Sequence, residues 1–228
     1  VTDQQRTPEW YAARVGKITG SRFGSVMALG AKGQPLQARK QLLQTLALER
    51  LTGQAEEIET NTAMQHGIDT EPLAKQWFTF AHDLEIIEHG LVVDAQHPFI
   101  AVSPDGSIVG DIGTAGELPI KAGIEIKCPV SKRIHMDRLT NGTPENLASG
   151  RWEIDHDHYW QMQGQCMVMG WDMVYYVSFH PGMPAGLQGH VIPVAHNTED
   201  TKRLREQCVI VDAEVNVIVA ALRSKIQC

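Results

Sequence analysis

Cysteine is sparse in this chain and badly placed for metal. Its four cysteines (Cys128, Cys166, Cys208 and Cys228) form no CxxC pair, which excludes a zinc ribbon. A 228-residue domain has enough core to need no disulfide staple. No apolar run approaches membrane-spanning length, so membrane partners are not expected. The polar opening "VTDQQRTPEWYAAR" lacks an apolar signal core, and cytoplasmic residence is expected. Positive charge is not in excess either. The formal net charge is −7, which excludes a protein that coats nucleic acid indiscriminately. Any nucleic-acid contact must rely on positive charge confined to a groove or channel. Repeats, low-complexity tracts and linkers are absent, so residues 1–228 read as one domain. The loop "GAKGQP" lacks the GK[ST] ending of a phosphate-binding loop, and ATP use is not implied.

What is present is a succession of amphipathic segments. "TPEWYAAR" reads as a short helix with Pro8 in its first position. A second helix is expected near Ser21, with Thr19 as its N-cap. "QARKQLLQTLALERLTG" has helical periodicity and a Gly53 stop. In residues 61–82, Leu73, Trp77 and Phe80 repeat at helical spacing. Pro72 there predicts a first turn or a kink, which places Glu71 near a helix start. Strands are expected at "EIIEHGLVVD", "FIAVS", "SIVG" and "AGIEIKC". A helix after Pro129, a helix across "HYWQMQGQCMVMG" and strands at "DMVYYVSF" and "HVIPVA" follow. The final helix carries Leu204, Cys208, Val211, Val215, Ile218, Leu222 and Ile226 on one stripe. This order predicts an α/β (α+β) fold with a central mixed sheet flanked by helices.

One stretch carries chemistry. In "AVSPDGSIVGDIGTAGELPIKAGIEIKCPV" (101–130), a Pro-Asp turn precedes an apolar strand that ends in Glu-Ile-Lys. Glu125 and Lys127 lie two apart and share a face of the strand, while Ile126 points into the core with its carbonyl free. Asp105 arrives from a turn that Gly106 permits. Carboxylates so arranged suit Mg²⁺, which prefers oxygen ligands, and Lys127 then orients or helps deprotonate a bound water. Ordinary surface charges on a hairpin are the alternative reading. The 106–124 connection also carries Asp111 and Glu117, either loop charges or a substitute ligand.

"SPDG…EIKCP" resembles the PD-(D/E)xK nuclease superfamily and, more narrowly, the phage-lambda-type exonuclease (viral recombinase, YqaJ-like) family. "WYAARVGKITGS" (10–21), "GIDTE" (67–71) and "QMQ" (161–163) resemble further signatures of that family, in the right order. A restriction-endonuclease-like core is implied. The resemblance implies that Asp105, Glu125, Glu71 and the Ile126 carbonyl hold two Mg²⁺ ions, for which Mn²⁺ can substitute. Lys127 becomes the catalytic lysine. Gln161 contacts the attacking water or the scissile phosphate; a polar position on a half-buried helix is its alternative role. Arg14, Ser21 and Ser103, with Thr19 nearby, match positions that bind a terminal 5′ phosphate.

Trp10 and Met64 suggest a wedge that splits the duplex, with core packing the alternative for Trp10. Lys32, Arg39, Lys132 and Arg133 are candidates for tracking the DNA backbone, each otherwise a solvated charge. The implied activity is Mg²⁺-dependent 5′→3′ digestion of one strand of linear duplex DNA from a 5′-phosphorylated end. Mononucleotides are released and 3′ tails are left for a phage-type strand-annealing protein. A homotrimeric ring and a phage or prophage origin in a bacterial host are implied as well. A repair or restriction endonuclease, or a non-catalytic DNA-binding relative, are the other readings. The family often has Tyr three residues before the first Gln of Gln-x-Gln; here His158 stands there. "DHDH" (155–158) reads as a solvated helix start rather than a metal cluster.

Overall fold

The computed structural model describes residues 4–56, 61–109, 121–142 and 156–225. Asp111, Glu117, Asp155, Ile226 and Cys228 lie outside the described residues. The chain opens with helix α1 (Pro8–Arg14), capped by the Thr7 hydroxyl on the Trp10 amide. Strand β1 (Ile18–Thr19) leads to a 3₁₀ turn (Gly20–Arg22) and the single-turn helix α2 (Phe23–Val26). Thr19 makes no side-chain cap there, and the helix expected near Ser21 is a 3₁₀ turn followed by a single α turn. Helix α3 (Gln37–Thr52) ends on Gly53, whose φ of 71° is the left-handed conformation glycine tolerates.

Helix α4 (Thr62–His82) contains Pro72 well inside it. Glu71 therefore sits mid-helix, not near a start. The N-cap is Asn61, eleven residues before the proline, and its side chain accepts from the Met64 amide. The buried face of α4 is Thr70, Ala74 and Phe78. Leu73 and Phe80, expected on the core stripe, are 47% and 92% exposed. Ala74 and Phe78 share a spacing of four, one position off the pattern read from the larger side chains.

Two mixed sheets follow. Strands β1, β4 (Ile100–Val102) and β3 (Val92–Val93) form a three-stranded sheet in the order β1-β4-β3. Strands β2 (Glu85–Ile87), β5 (Gly106–Val109), β6 (Ala122–Lys127), β7 (Met173–Phe179) and β8 (Gly189–Ala195) form the second, in that spatial order. Only the β6–β7 pair is parallel in it. The single run expected over "EIIEHGLVVD" is thus divided between the two sheets.

Helix α4 packs on one face of the larger sheet, against Ile108, Ile124, Ile126, Tyr175 and Val177. Helix α6 (His156–Met169) covers the other through Met162 and Cys166, against Val174, Tyr176 and Ile192. Both faces of β6 and β7 are buried, which is why these strands read as continuous apolar runs rather than alternations. Helix α5 (Lys132–Asn141) lies beside β7, and α7 (Thr198–Arg223) packs on α3. The α7 core stripe is Leu204, Cys208, Val211, Val215 and Val219. Leu222 is 39% exposed, so the stripe turns one position away from the expected Ile218 and Leu222. Cys128, Cys166 and Cys208 are free thiols. Among the described residues, no helix is long and apolar enough to cross a membrane.

Candidate active site at the end of the β5–β6 hairpin

The hairpin register builds the centre. Gly106 pairs with Ile124 and Ser107 with Gly123; one further step sets Asp105 opposite Glu125. Asp105 Oδ2 accepts from the Ile126 amide at 2.7 Å, which locks the turn to the strand. Alternation sends Ile124 and Ile126 toward α4 and turns Glu125 and Lys127 toward α6. Glu125 is 2% exposed. Its Oε1 accepts from Lys127 Nζ at 2.6 Å and its Oε2 from Gln165 Nε2 at 2.6 Å. Lys127 also donates to Gln161 Oε1 at 3.2 Å.

Glu71 joins from α4, carrying two cations. Arg6 Nη2 pairs with its Oε2 and Lys75 Nζ lies 3.0 Å from its Oε1. Arg6 is held there by a positive φ of 64° and by its neighbour Gln5, whose amide donates to Pro104 O at 2.8 Å and His89 O at 2.9 Å. A cavity of about 450 Å³ opens between this segment and α4, lined in part by Arg6, Glu71, Lys75 and Glu88. A larger cavity of about 590 Å³, around Val209 and Ile210 on α7, is remote from these carboxylates; the smaller one lies beside the chemistry.

The charges respond to this crowding. Burial, then the negative charges of Glu125 and Glu71, pushes the Asp105 carboxyl well above its ordinary range. Burial also opposes the Glu71 carboxylate, but Arg6 and Lys75 outweigh it and the pKa falls. Burial disfavours the Lys127 ammonium, yet Glu125 and Asp105 more than offset this and its pKa is raised. Lys127 stands here as a hydrogen-bond donor to both Glu125 and Gln161.

Among the described residues, no three His, Cys, Asp or Glu side chains converge closely enough to hold a metal ion as they stand. The donor set still fits a hard cation. Asp105, Glu125 and Glu71 offer only carboxylate oxygens, the donors a hard cation such as Mg²⁺ prefers.

A second constellation adjoins the first. The Arg14 guanidinium lies 4.1 Å above the Trp10 ring, and its Nη2 is 3.3 Å from Thr19 Oγ1 and 3.5 Å from Ser21 Oγ. Trp10 Nε1 donates to Ser103 Oγ at 2.9 Å. The structure therefore brings together all four residues expected to grip a 5′ phosphate, and Trp10 ties them to each other. Burial, then the charge of Arg22, lowers the Arg14 pKa to about 10, still a full cation at neutral pH. Gly24 and Gly164 hold α2 hard against α6: an added Cβ would lie 1.9 Å from Asp157 and 2.0 Å from Phe23, respectively. This close approach fixes the Arg14 constellation relative to Gln161.

Other expected residues scatter. Trp10 is 8% exposed and packs with Leu91 and Ala101, so its ring supports the constellation and does not project as a wedge. Met64 is 43% exposed at the start of α4. Lys32, Lys132 and Arg133 are exposed. Arg39 is corrected outright. It is 2% exposed and donates to Val26 O at 2.7 Å and Gln207 Oε1 at 2.8 Å, so it joins three helices and cannot track DNA. His156 Nε2 donates to Gly24 O at 3.1 Å, and His156 and Asp157 are both exposed, so this part of the "DHDH" run is a solvated helix start.

Residues 9–172 match the YqaJ-like viral recombinase domain family. The chain belongs to this family. A crystal structure of an alkaline exonuclease, LHK-Exo from Laribacter hongkongensis, in complex with dAMP is 27% identical in sequence. Its TM-score is 0.78, covering 97% of this chain and 98% of that one. A phage-related exonuclease from Haemophilus somnus shares the fold at TM-score 0.69 and 13% identity, over 90% of this chain and 96% of its own. An uncharacterized protein of Acanthamoeba polyphaga mimivirus is 26% identical over 133 residues, 58% of this chain. This chain matches only 23% of that protein's length. Within the YqaJ-like frame, sequence reasoning missed Gln165, Arg6 and Lys75. Gln165 had a usable signal, since it lies four residues after Gln161 and so shares its helix face. Lys75 had the same signal, four residues after Glu71 on one helix; Arg6 had none, because its proximity to Glu71 is made by the fold.

Proposed function

We propose that this YqaJ-like protein is a Mg²⁺-dependent exonuclease that digests the 5′ strand of linear duplex DNA and releases mononucleotides. The observation that carries this reading is that Ser103 and Asp105, two residues apart, join two separate constellations. One is a carboxylate–lysine centre. The other is an arginine–hydroxyl cluster that suits a terminal phosphate. An endonuclease has no need of the second. LHK-Exo is named an alkaline exonuclease and was crystallised with dAMP, a mononucleotide, which supports the same class of product.

Asp105, Glu125 and Glu71 are the residues that would hold the metal. When bound, Mg²⁺ would neutralise charge on the attacking and leaving oxygens and activate water. The chain's own groups do the rest. Lys127 presents its ammonium beside Glu125, able to orient a water and neutralise the phosphate. Gln161 fixes that ammonium from above through its Oε1. Arg14, with Thr19, Ser21 and Ser103, receives the 5′ phosphate and sets the distance at which the next bond is cut. A net charge of −7 suits DNA held in an enclosed channel, and the homotrimeric ring that would form it is carried over from the family resemblance alone. The 3′ tails left behind suit a strand-annealing partner.

The deciding experiment incubates linear duplex with 5′ phosphates, and covalently closed circles, with Mg²⁺. Mononucleotides are expected from the linear DNA only, and none from the Asp105→Ala protein. Cleavage of the closed circle would indicate an endonuclease instead. No hydrolysis of either, with DNA still bound, would indicate a non-catalytic relative.

A further inference from the structure

We propose that Gln165 is the residue that positions Glu125 for divalent-cation binding, an inference that rests on the metal-dependent reading above. Gln165 is 1% exposed, and its side chain runs to a carboxylate that is itself 2% exposed. The 2.6 Å contact from Nε2 to Glu125 Oε2 is short, as charge-assisted hydrogen bonds are. The amide cannot be turned round. Glu125 is an acceptor, so a flipped Gln165 would set its Oε1 against Oε2 with no proton between them. The cost of this orientation is visible, because Gln165 Oε1 is buried without a hydrogen-bond partner in the protein. A side chain kept only for packing has no reason to bury an unpaired acceptor.

The two oxygens of Glu125 are thus held differently. Oε2 is held by a neutral donor on α6, which cannot leave without moving the helix. Oε1 is held by Lys127 Nζ, the mobile end of a flexible side chain. Gln165 therefore fixes the plane of the carboxylate and leaves Oε1 as the oxygen that can be shared with a cation. Gln161, one turn earlier on the same face, takes up the Lys127 ammonium. Gln163 serves an unrelated purpose. It donates to Ala195 O at 2.9 Å and accepts from the Asn197 amide at 2.8 Å, anchoring the β8–α7 corner. Partners that orient a ligand in this way are typically worth 10- to 100-fold in metal affinity.

The test is calorimetric titration with Ca²⁺, without DNA, on the wild-type, Glu125→Ala, Gln165→Met and Gln163→Met proteins. Met preserves length and bulk while deleting both the donor and the orphan acceptor. Gln165→Met is expected to weaken Ca²⁺ binding about tenfold with an unchanged melting temperature. Gln163→Met is expected to do the reverse, lowering the melting temperature with Ca²⁺ affinity kept. On linear duplex with Mg²⁺, Gln165→Met should lower kcat and leave KM for DNA ends in place. Ca²⁺ affinity within twofold of wild type in Gln165→Met overturns the inference. So does failure of both Gln165→Met and Gln165→Leu to fold, since the residue is then structural. If the wild-type protein shows no Ca²⁺ binding that Glu125→Ala removes, the metal-dependent reading itself falls, and the inference with it.

Discussion

Trp10→Phe separates end recognition from packing. The indole is 8% exposed, packs on Leu91 and Ala101, supports the Arg14 guanidinium at 4.1 Å and donates to Ser103 Oγ at 2.9 Å. Phenylalanine keeps a ring under Arg14 and removes the N–H. The lost hydrogen bond costs about 1 kcal/mol net. The smaller ring adds up to about 1 kcal/mol from incomplete filling. Urea unfolding should therefore register a loss of about 1–2 kcal/mol, a tolerable change for a domain of this size. If Ser103 and Arg14 grip a 5′ phosphate, loosening both should cost about 1 kcal/mol of discrimination, or roughly fivefold. The assay is the ratio of kcat/KM on linear duplexes carrying 5′ phosphate and 5′ hydroxyl ends. Arg14→Ala, which removes the cation, should reduce that ratio by tenfold or more. A Trp10→Phe protein that loses stability but keeps the wild-type ratio would refute the reasoning and return Trp10 to the core alone.

Asp105→Ala and Lys127→Ala should each lower hydrolysis by a factor of at least about 100 while circular dichroism stays that of the wild type. Arg6→Ala should tighten Mn²⁺ binding measured by calorimetry, because it frees Glu71 Oε2; unchanged or weaker binding would show that Glu71 takes no part. Glu49 is 2% exposed and bonded by Arg22 and the Gly16 amide. Burial opposes its charge, but Arg22 prevails and its pKa is lowered. Its stabilisation is thus present above the unfolded glutamate value of about 4.3 and is lost as pH falls through the lower folded value. Arg22→Ala should cost about 2–4 kcal/mol at neutral pH, read by denaturant unfolding. Arg39→Ala should destabilise the fold with no change in the salt dependence of DNA binding. Lys32→Ala, if that residue meets a phosphate, should lower the log–log salt slope by about 1.

Much of the candidate site was legible because its signals are local. A strand alternates sides every residue, so Glu125 and Lys127 had to share a face and Ile126 had to turn away, whatever the surroundings. The Pro-Asp-Gly turn likewise set Asp105 at the mouth of the same hairpin. Helix ends such as Gly53 were readable for the same reason. The α4 face was not, because size misled: the bulky Leu73 and Phe80 point to solvent, while Thr70, Ala74 and Phe78 face the sheet. Arg39 failed differently. Nothing in a sequence distinguishes an arginine that caps a buried carbonyl from one that meets a phosphate.

The sequence alone determined the order of elements, the carboxylate–lysine hairpin and the family. Each follows from short-range geometry or from residue patterns that travel with the chain. The tertiary structure decided what those residues face. It chose Gln165 over Gln163 as the partner of Glu125. It set Arg6 on Glu71, and through Ser103 it placed Trp10 as a brace rather than a wedge. Those outcomes depend on contacts between segments 40 to more than 90 residues apart, where packing, rather than local propensity, selects the partner.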